Sequence, residues 1–298
     1  MSFTGIIPAV CTWFHQDGSL DLDTQFEHAD FMIEAGVNGL FIQGSGGEFP
    51  YMTVAERKEH ARAVKDYVKS RTQVIVGVNS ASTNEAVELA RHAEEIGADA
   101  IVAVTPYYWT ITDDLILQFY MDLGQACDLP IIAYNFPDLT GQRLGSRLLL
   151  RMLEKVPTLA GIKDTIDSQS HIRDIVFRVK GAHPDFSVLA GIDEYLLGTL
   201  IVGGDGLMGS TPNFLPKLSV DLYQAFLNKD FDAMVQGQRN ISALGEITMN
   251  SRPGVASFKE AALVAMGKPS GAYVRPPLGI VNQEGVERIK KAMKKYMD

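Results

Sequence analysis

Short apolar runs of strand length alternate with longer amphipathic stretches along the chain. The first two runs are Gly5-Ile6-Ile7-Pro8-Ala9-Val10 and Gly39-Leu40-Phe41-Ile42. They are followed by Val74 to Val78, Ala100 to Val104, Pro130 to Tyr134, Leu159 to Ile162, Ser187 to Ala190 and Gly206 to Met208. Unbroken β-rich runs of this kind suit strands covered on both faces, as in parallel sheets with helical crossovers. The intervening segments carry helix-start signals. Thr53-x-x-Glu56 and Ser82-x-x-Glu85 have the capping-box spacing, in which two exposed N–H groups are satisfied reciprocally.

A local echo recurs where helices return to strands: Gly36-Val37-Asn38-Gly39, Gly97-Ala98-Asp99-Ala100 and Gly203-Gly204-Asp205-Gly206. Glycine there ends the helix in a left-handed cap and a short polar residue turns the chain into the next strand. One αβ joint used three times, with eight β-runs in about 210 residues, predicts an α/β fold of the closed (β/α)8 TIM-barrel type rather than a doubly wound sheet. After Pro216 no further strand runs occur. Amphipathic segments near 217–228, 231–249, 254–267 and 283–296 predict a C-terminal helical extension, dividing the chain into a barrel core, 1–216, and an extension, 217–298.

Composition narrows the function. The chain has 298 residues and a formal net charge of −9, which disfavours nucleic acid as a partner because phosphate binding needs clustered Lys and Arg. Hydrophobic residues at 46% and charged residues at 21% provide for a large core. No basic segment leads into an apolar run at Met1-Ser2-Phe3-Thr4, and no apolar stretch has spanning length, so the expected location is the cytoplasm. Cys11 and Cys127 are too few for a disulfide framework or a thiolate metal site and read as small core residues. The six histidines show no H-x-x-x-H spacing, so no metal is expected. Gly204-Asp205-Gly206-Leu207-Met208-Gly209 fits G-x-G-x-x-G, yet it belongs to the recurring αβ joint and overlaps a β-run instead of opening a helix. It is not taken as a nicotinamide site.

Barrel chemistry gathers at the C-terminal ends of strands. There the chain places Gly44-Ser45-Gly46-Gly47-Glu48, Thr105-Pro106-Tyr107-Tyr108, Tyr134-Asn135-Phe136-Pro137, Lys163-Asp164-Thr165, Gly191-Ile192-Asp193-Glu194 and Gly209-Ser210-Thr211. Lys163 is pivotal, because the strand leads it to the mouth of an apolar interior where desolvation penalises an ammonium; a neutral amine attacks a keto carbon. A solvated or Asp164-paired lysine is the ordinary alternative, but adjacent strand residues point to opposite faces, which weakens that pairing. Tyr134 offers a phenol for proton transfer or simply a buried tyrosine. The Gly44–Gly47 stretch allows close approach of a ligand and leaves amides for a carboxylate, or is an ordinary tight turn.

In order and spacing, Gly44-Ser45-Gly46-Gly47-Glu48, Tyr134-Asn135-Phe136-Pro137-x-x-Thr140-Gly141 and Gly161-Ile162-Lys163-Asp164-Thr165 resemble the dihydrodipicolinate synthase/N-acetylneuraminate lyase family, almost end to end. The wording is most similar to its bacterial 2-keto-3-deoxy-sugar-acid aldolases. The resemblance implies a barrel with a helical extension, a homotetramer (a dimer of dimers), and covalent catalysis needing neither metal nor nucleotide. It implies that Lys163 forms an imine with a 2-keto acid, that Tyr134 is the acid/base, that Ser45 and Tyr108 form a proton relay, and that Tyr107 reaches toward a neighbouring subunit. Gly46, Thr165, Gly191, Asp193, Glu194, Met208 and Ser210 are implied as substrate-binding positions. Two departures are informative. Dihydrodipicolinate synthases carry an arginine after the catalytic tyrosine for the carboxylate of aspartate semialdehyde, where this chain has Leu139; and the usual second hydroxyl residue of the glycine motif is Gly46. The expected activity is therefore a class I aldolase, a carbon–carbon lyase releasing pyruvate from a 2-keto-3-deoxy sugar acid. Dihydrodipicolinate synthase, sialate lyase and an imine-forming dehydratase are the rivals within enzymes; a keto-acid-sensing barrel and a nicotinamide dehydrogenase are those outside.

Overall fold

The computed structural model describes residues 2–297. Eight strands, β1 (Gly5–Ile6), β2 (Gly39–Ile42), β3 (Gln73–Gly77), β4 (Ala100–Val104), β5 (Ile131–Asn135), β6 (Leu159–Asp164), β7 (Ser187–Ala190) and β8 (Gly206–Leu207), lie parallel in the order 1-8-7-6-5-4-3-2. The ring closes between β1 and β2: Asn38 and Phe41 donate their N–H groups to the Ile6 and Pro8 carbonyls (2.7 and 2.9 Å), and Val10 N–H reaches Phe41 O at 2.8 Å. A helix follows each strand. The expected (β/α)8 barrel is the observed architecture.

Strand residues alternate between two cores, as the two-residue period of a pleated strand requires. Phe41, Ile75, Val102, Ile132, Tyr134 and Leu189 fill the barrel interior. Their neighbours Leu40, Val74, Ile101, Ala133, Ile162 and Val188 face outward and pack under the helices. Gly36, Gly97 and Gly203 all have positive φ (90°, 71° and 100°), so the repeated αβ joint rests on the left-handed cap that its sequence predicted.

Of the two predicted capping boxes only one forms. Thr53 Oγ1 accepts from Glu56 N–H at 3.2 Å and Glu56 reaches back to Thr53 N–H at 2.8 Å. Ser82 caps the helix Thr83–Glu95 through its backbone alone, because Glu85 is drawn instead to Arg57 at 3.4 Å. Beyond β8, the helix Pro216–Leu227 buries Leu222 in the layer that covers the strands. The helices Phe231–Ala243, Val255–Ala265 and Gln283–Met293 follow, and Ala261, Ala262, Ile289 and Met293 help form a separate core with Trp13 and Phe214. Among the described residues no helix is long and apolar enough to cross a membrane.

Candidate active site

Register builds the centre of the site. Tyr134 on β5 pairs with Lys163 on β6, and Lys163 in turn with Leu189 on β7, so the phenol and the amine stand side by side on the inner face. Asp164 points the other way, as strand alternation demands. It accepts from Asn135 Nδ2 at 2.6 Å and pairs with His171 Nδ1 at 2.8 Å. Lys163 is only 4% exposed; its Nζ lies 4.4 Å from the Tyr134 ring centre and 4.9 Å from that of Phe41. Among the described residues no carboxylate lies within 4 Å of that amine.

A second buried lysine provides the contrast. Lys259, fully buried, is held in an ion pair with the equally buried Glu48 and donates to Tyr273 O at 2.9 Å. Burial lowers its pKa, and the Glu48 carboxylate opposes that shift. Lys259 is therefore engaged, whereas Lys163 is left facing a cavity.

The glycine stretch forms a tight turn at the end of β2. Gly47 N–H returns to Gly44 O (3.0 Å) and Glu48 N–H to Ser45 O (3.2 Å), while the amides of Ser45 and Gly46 have no backbone acceptor among the described residues. Thr12 Oγ1 pins the turn from below through Gly47 O at 2.8 Å. A Cβ at Gly44 would come within 2.7 Å of the Phe41 ring and one at Gly47 within 3.0 Å of Val10 O, so both glycines are demanded by close approach. At Gly46 the nearest atom, Ala9 O, is 3.5 Å away, so a side chain there would fit and the empty space belongs to the cavity. Ser45 Oγ stands 3.5 Å from Tyr134 Oη, a link from turn to phenol.

A cavity of about 510 Å³ opens over these groups. Its walls include Lys163, Tyr134, Ser45, Gly46, Thr165, Gly191, Ser210 and Tyr107 from the predicted set. Thr165 Oγ1 is buried with no hydrogen-bond partner among the described residues, and Gly191 leaves room for that hydroxyl, since a Cβ at Gly191 would fall 1.9 Å from it. Leu139 stands in the wall, and among the described residues Lys163 is the one charged residue lining the cavity.

The remaining predicted residues are placed differently. Asp193 does not line this cavity; its Oδ2 accepts from Ser210 N–H and Oγ (3.0 and 2.9 Å) and its Oδ1 from Thr211 N–H (2.9 Å), so its lone pairs hold the loop after β8. Glu194 lies in an adjoining recess of about 450 Å³, with Thr248, Ser251 and Arg252 on its walls and Gly191 and Ser210 shared between the two spaces. Partial burial raises the Glu194 pKa, and Asp193 and Asp167 act in the same direction. Met208 packs in the barrel interior, fully buried beneath the site. Tyr107 and Tyr108 are placed very differently within the chain. Tyr107 is half-buried in the cavity wall, edge-on to Phe49; burial raises its pKa while Arg57 opposes the shift. Tyr108 is 88% exposed with φ +83°, edge-on to the exposed Trp109, and among the described residues Ser45 Oγ is linked to Tyr134 and not to Tyr108. The C-terminal extension contributes Val255, Phe258 and Leu278 to the wall, which the reading of strand ends missed. The available signal was the Lys259-Glu260 pair inside the otherwise apolar helix Val255–Ala265.

The decoy motif is explained by its position: Gly204–Gly209 follows the helix Leu196–Ile201 and contains β8, so no helix opens at it. Among the described residues no group of three or more His, Cys, Asp or Glu side chains is placed to hold a metal. His28 and His60 are structural, the first between Trp13 Nε1 (3.0 Å) and Asn213 O (2.7 Å), the second on Gln25 Oε1 (3.0 Å).

Fold and site together define a (β/α)8-barrel enzyme with a buried lysine–tyrosine centre. Residues 2–296 match the model of the dihydrodipicolinate synthetase family, and the chain belongs to that family. It is 40% identical over 287 residues to the Escherichia coli K12 protein named "Probable 2-dehydro-3-deoxy-D-pentonate aldolase YjhH", covering 96% of this chain and 95% of that one. The crystal structure of YagE, a prophage protein of the same strain solved in complex with pyruvate, superposes with a TM-score of 0.96 at 37% identity, over 99% of this chain and 98% of that one. A dihydrodipicolinate synthase from Thermotoga maritima gives 0.93 at 28% identity, over 99% of both chains.

Proposed function

We propose that the chain is a class I aldolase that cleaves a 2-keto-3-deoxy sugar acid into pyruvate and a hydroxyaldehyde. The observation that carries this reading is Lys163: buried, without a carboxylate partner, and in register with the Tyr134 phenol at the floor of a cavity. The amine attacks C2 of the keto acid and water leaves, giving an iminium that acts as an electron sink. Tyr134 takes the proton of the C4 hydroxyl, the C3–C4 bond breaks and the aldehyde departs. The enamine is reprotonated at C3 through Tyr134 and Ser45, and hydrolysis returns pyruvate and the free amine. The Ser45 and Gly46 amides receive the substrate carboxylate, and Thr165 Oγ1 and Ser210 Oγ meet hydroxyls.

Among the described residues no cation other than Lys163 lines the cavity, and Leu139 stands in place of an arginine, which supports this reading over condensation of pyruvate with aspartate semialdehyde, whose carboxylate would find no cation in that wall. The similarity to the pentonate aldolase and to the pyruvate-bound YagE supports the same choice. The exposed Tyr108–Trp109 pair is assigned to contact between copies of the chain, so that Tyr108, rather than Tyr107, is the tyrosine offered to a neighbour; a tetramer working in the cytoplasm is the expected setting.

Borohydride reduction in the presence of pyruvate, followed by peptide mass mapping, tests the reading. The adduct is expected on Lys163 alone and is lost in Lys163→Ala. An unmodified Lys163 peptide removes the imine and the aldolase assignment with it.

A further inference from the structure

The substrate-facing turn ends at Glu48, a fully buried residue with left-handed backbone (φ +58°, ψ 28°). Its carboxylate is held entirely by the C-terminal extension: one oxygen pairs with Lys259 and the other accepts Arg275 N–H at 2.8 Å. Lys259 is fixed in its turn by Tyr273 O at 2.9 Å and by the Phe14 ring, whose centre is 4.7 Å from Nζ. The helix that carries Lys259, Val255–Ala265, also places Val255 and Phe258 in the cavity wall. One buried pair thus joins the Ser45 and Gly46 amides on one side of the cavity to its apolar wall on the other. Burying two charges is costly, and apolar side chains of similar volume in place of such a pair often leave stability unchanged or raise it. Stability alone does not account for it.

We propose that Glu48 and Lys259 are positioning residues that fix the Ser45–Gly46 turn for the carboxylate of the keto acid, so that the C-terminal helices set the enzyme's affinity for that group. The inference rests on the aldolase reading for the ligand and on the buried pair for the geometry. Glu48 touches neither the cavity nor the reacting atoms; it acts through the backbone of the turn that it terminates.

The test is the double variant Glu48→Gln/Lys259→Met, which removes both charges at nearly constant volume. Its readouts are thermal midpoint and the pyruvate concentration that half-saturates reductive trapping of Lys163. The expected result is an unchanged midpoint with half-saturation raised about tenfold, while trapping at saturating pyruvate stays within about threefold of the parent. Ile289→Ala, a change in the core of the extension remote from the pair, should lower the midpoint and leave half-saturation alone. A double variant with parental half-saturation overturns the proposal, as does one in which midpoint and saturated trapping both fall as half-saturation rises. If the double variant does not fold, Glu48→Gln decides by the same criteria. Failure of the parent protein to trap pyruvate at all would instead be a failure of the aldolase reading.

Discussion

Two glycines in the cavity wall respond oppositely to a methyl group. At Gly191 an added Cβ would lie 1.9 Å from Thr165 Oγ1, 2.9 Å from its Cβ and 3.0 Å from its Cα. Rotating the threonine about χ1 relieves only the first contact, because Cα is main chain and Cβ, bonded to it, does not move with that rotation. That chain is pinned: Thr165 N–H donates to Asn135 O and Gly191 N–H to Asp164 O, each at 2.8 Å. Gly191→Ala therefore forces the strand ends apart, an overpacking cost of about 1–3 kcal/mol. For a domain of this size that lowers the thermal midpoint by roughly 2–5 °C. It also displaces the Thr165 hydroxyl assigned to the hydroxyls of the sugar acid, so KM for a 2-keto-3-deoxy acid should rise with the loss of stability while pyruvate half-saturation of Lys163 trapping changes less. At Gly46 the nearest atom is 3.5 Å away and φ is not positive, so Gly46→Ala is accommodated and gains about 0.4–1 kcal/mol from a less flexible unfolded chain. The pair is measured by calorimetry and trapping side by side. Equal midpoints for the two variants would refute the packing argument, and a higher midpoint for Gly191→Ala would reverse it.

Tyr134→Phe should keep the fold and slow turnover of a 2-keto-3-deoxy acid by about 10²- to 10⁴-fold, the usual loss when a general acid/base is removed; an unchanged kcat contradicts its role. Leu139→Arg introduces a cation into the cavity wall and should lower KM for aspartate semialdehyde in condensation with pyruvate at least tenfold, whereas an unchanged KM would detach that position from substrate. Burial holds His28 and His60 neutral with pKa values lowered from 6.5 to about 4, although the Asn213 carbonyl opposes the shift at His28. Between pH 6.5 and 4 the unfolded chain takes up protons that the folded chain refuses, so stability falls as pH falls through that window, by about 3 kcal/mol for each histidine. Urea unfolding at pH 7 and pH 4.5 measures the loss, and His60→Gln should flatten the slope by about half; a flat profile in the parent protein would contradict the burial argument.

The parts of this molecule that could be read from sequence are those fixed by local periodicity. Strand alternation alone puts Lys163 inside and Asp164 outside, and the αβ joints require the left-handed backbone that Gly36, Gly97 and Gly203 adopt. What escaped depends on contacts that no local pattern records. Asp193 carries the residue type of a hydroxyl-binding side chain, yet its lone pairs are spent on the backbone of the next loop, and nothing in Gly191-Ile192-Asp193-Glu194 announces the Ser210 and Thr211 amides that take them. Tyr107 and Tyr108 are chemically identical neighbours; the positive φ at Tyr108 decides which ring enters the cavity and which leaves the surface, and tyrosine has no intrinsic preference that would foretell it. The same holds for Ser82, whose capping partner was diverted by Arg57, a residue of the preceding helix. In the sequence Glu48 stands beside Phe49 and Lys259 beside Phe258 and Glu260, and only the folded chain brings the two together, because the appendix that follows the last strand turns back over the mouth of the barrel and supplies part of its wall. A barrel's strand ends name the reacting groups. The segments that embrace them set their affinity, and those are joined to the site by long-range packing alone.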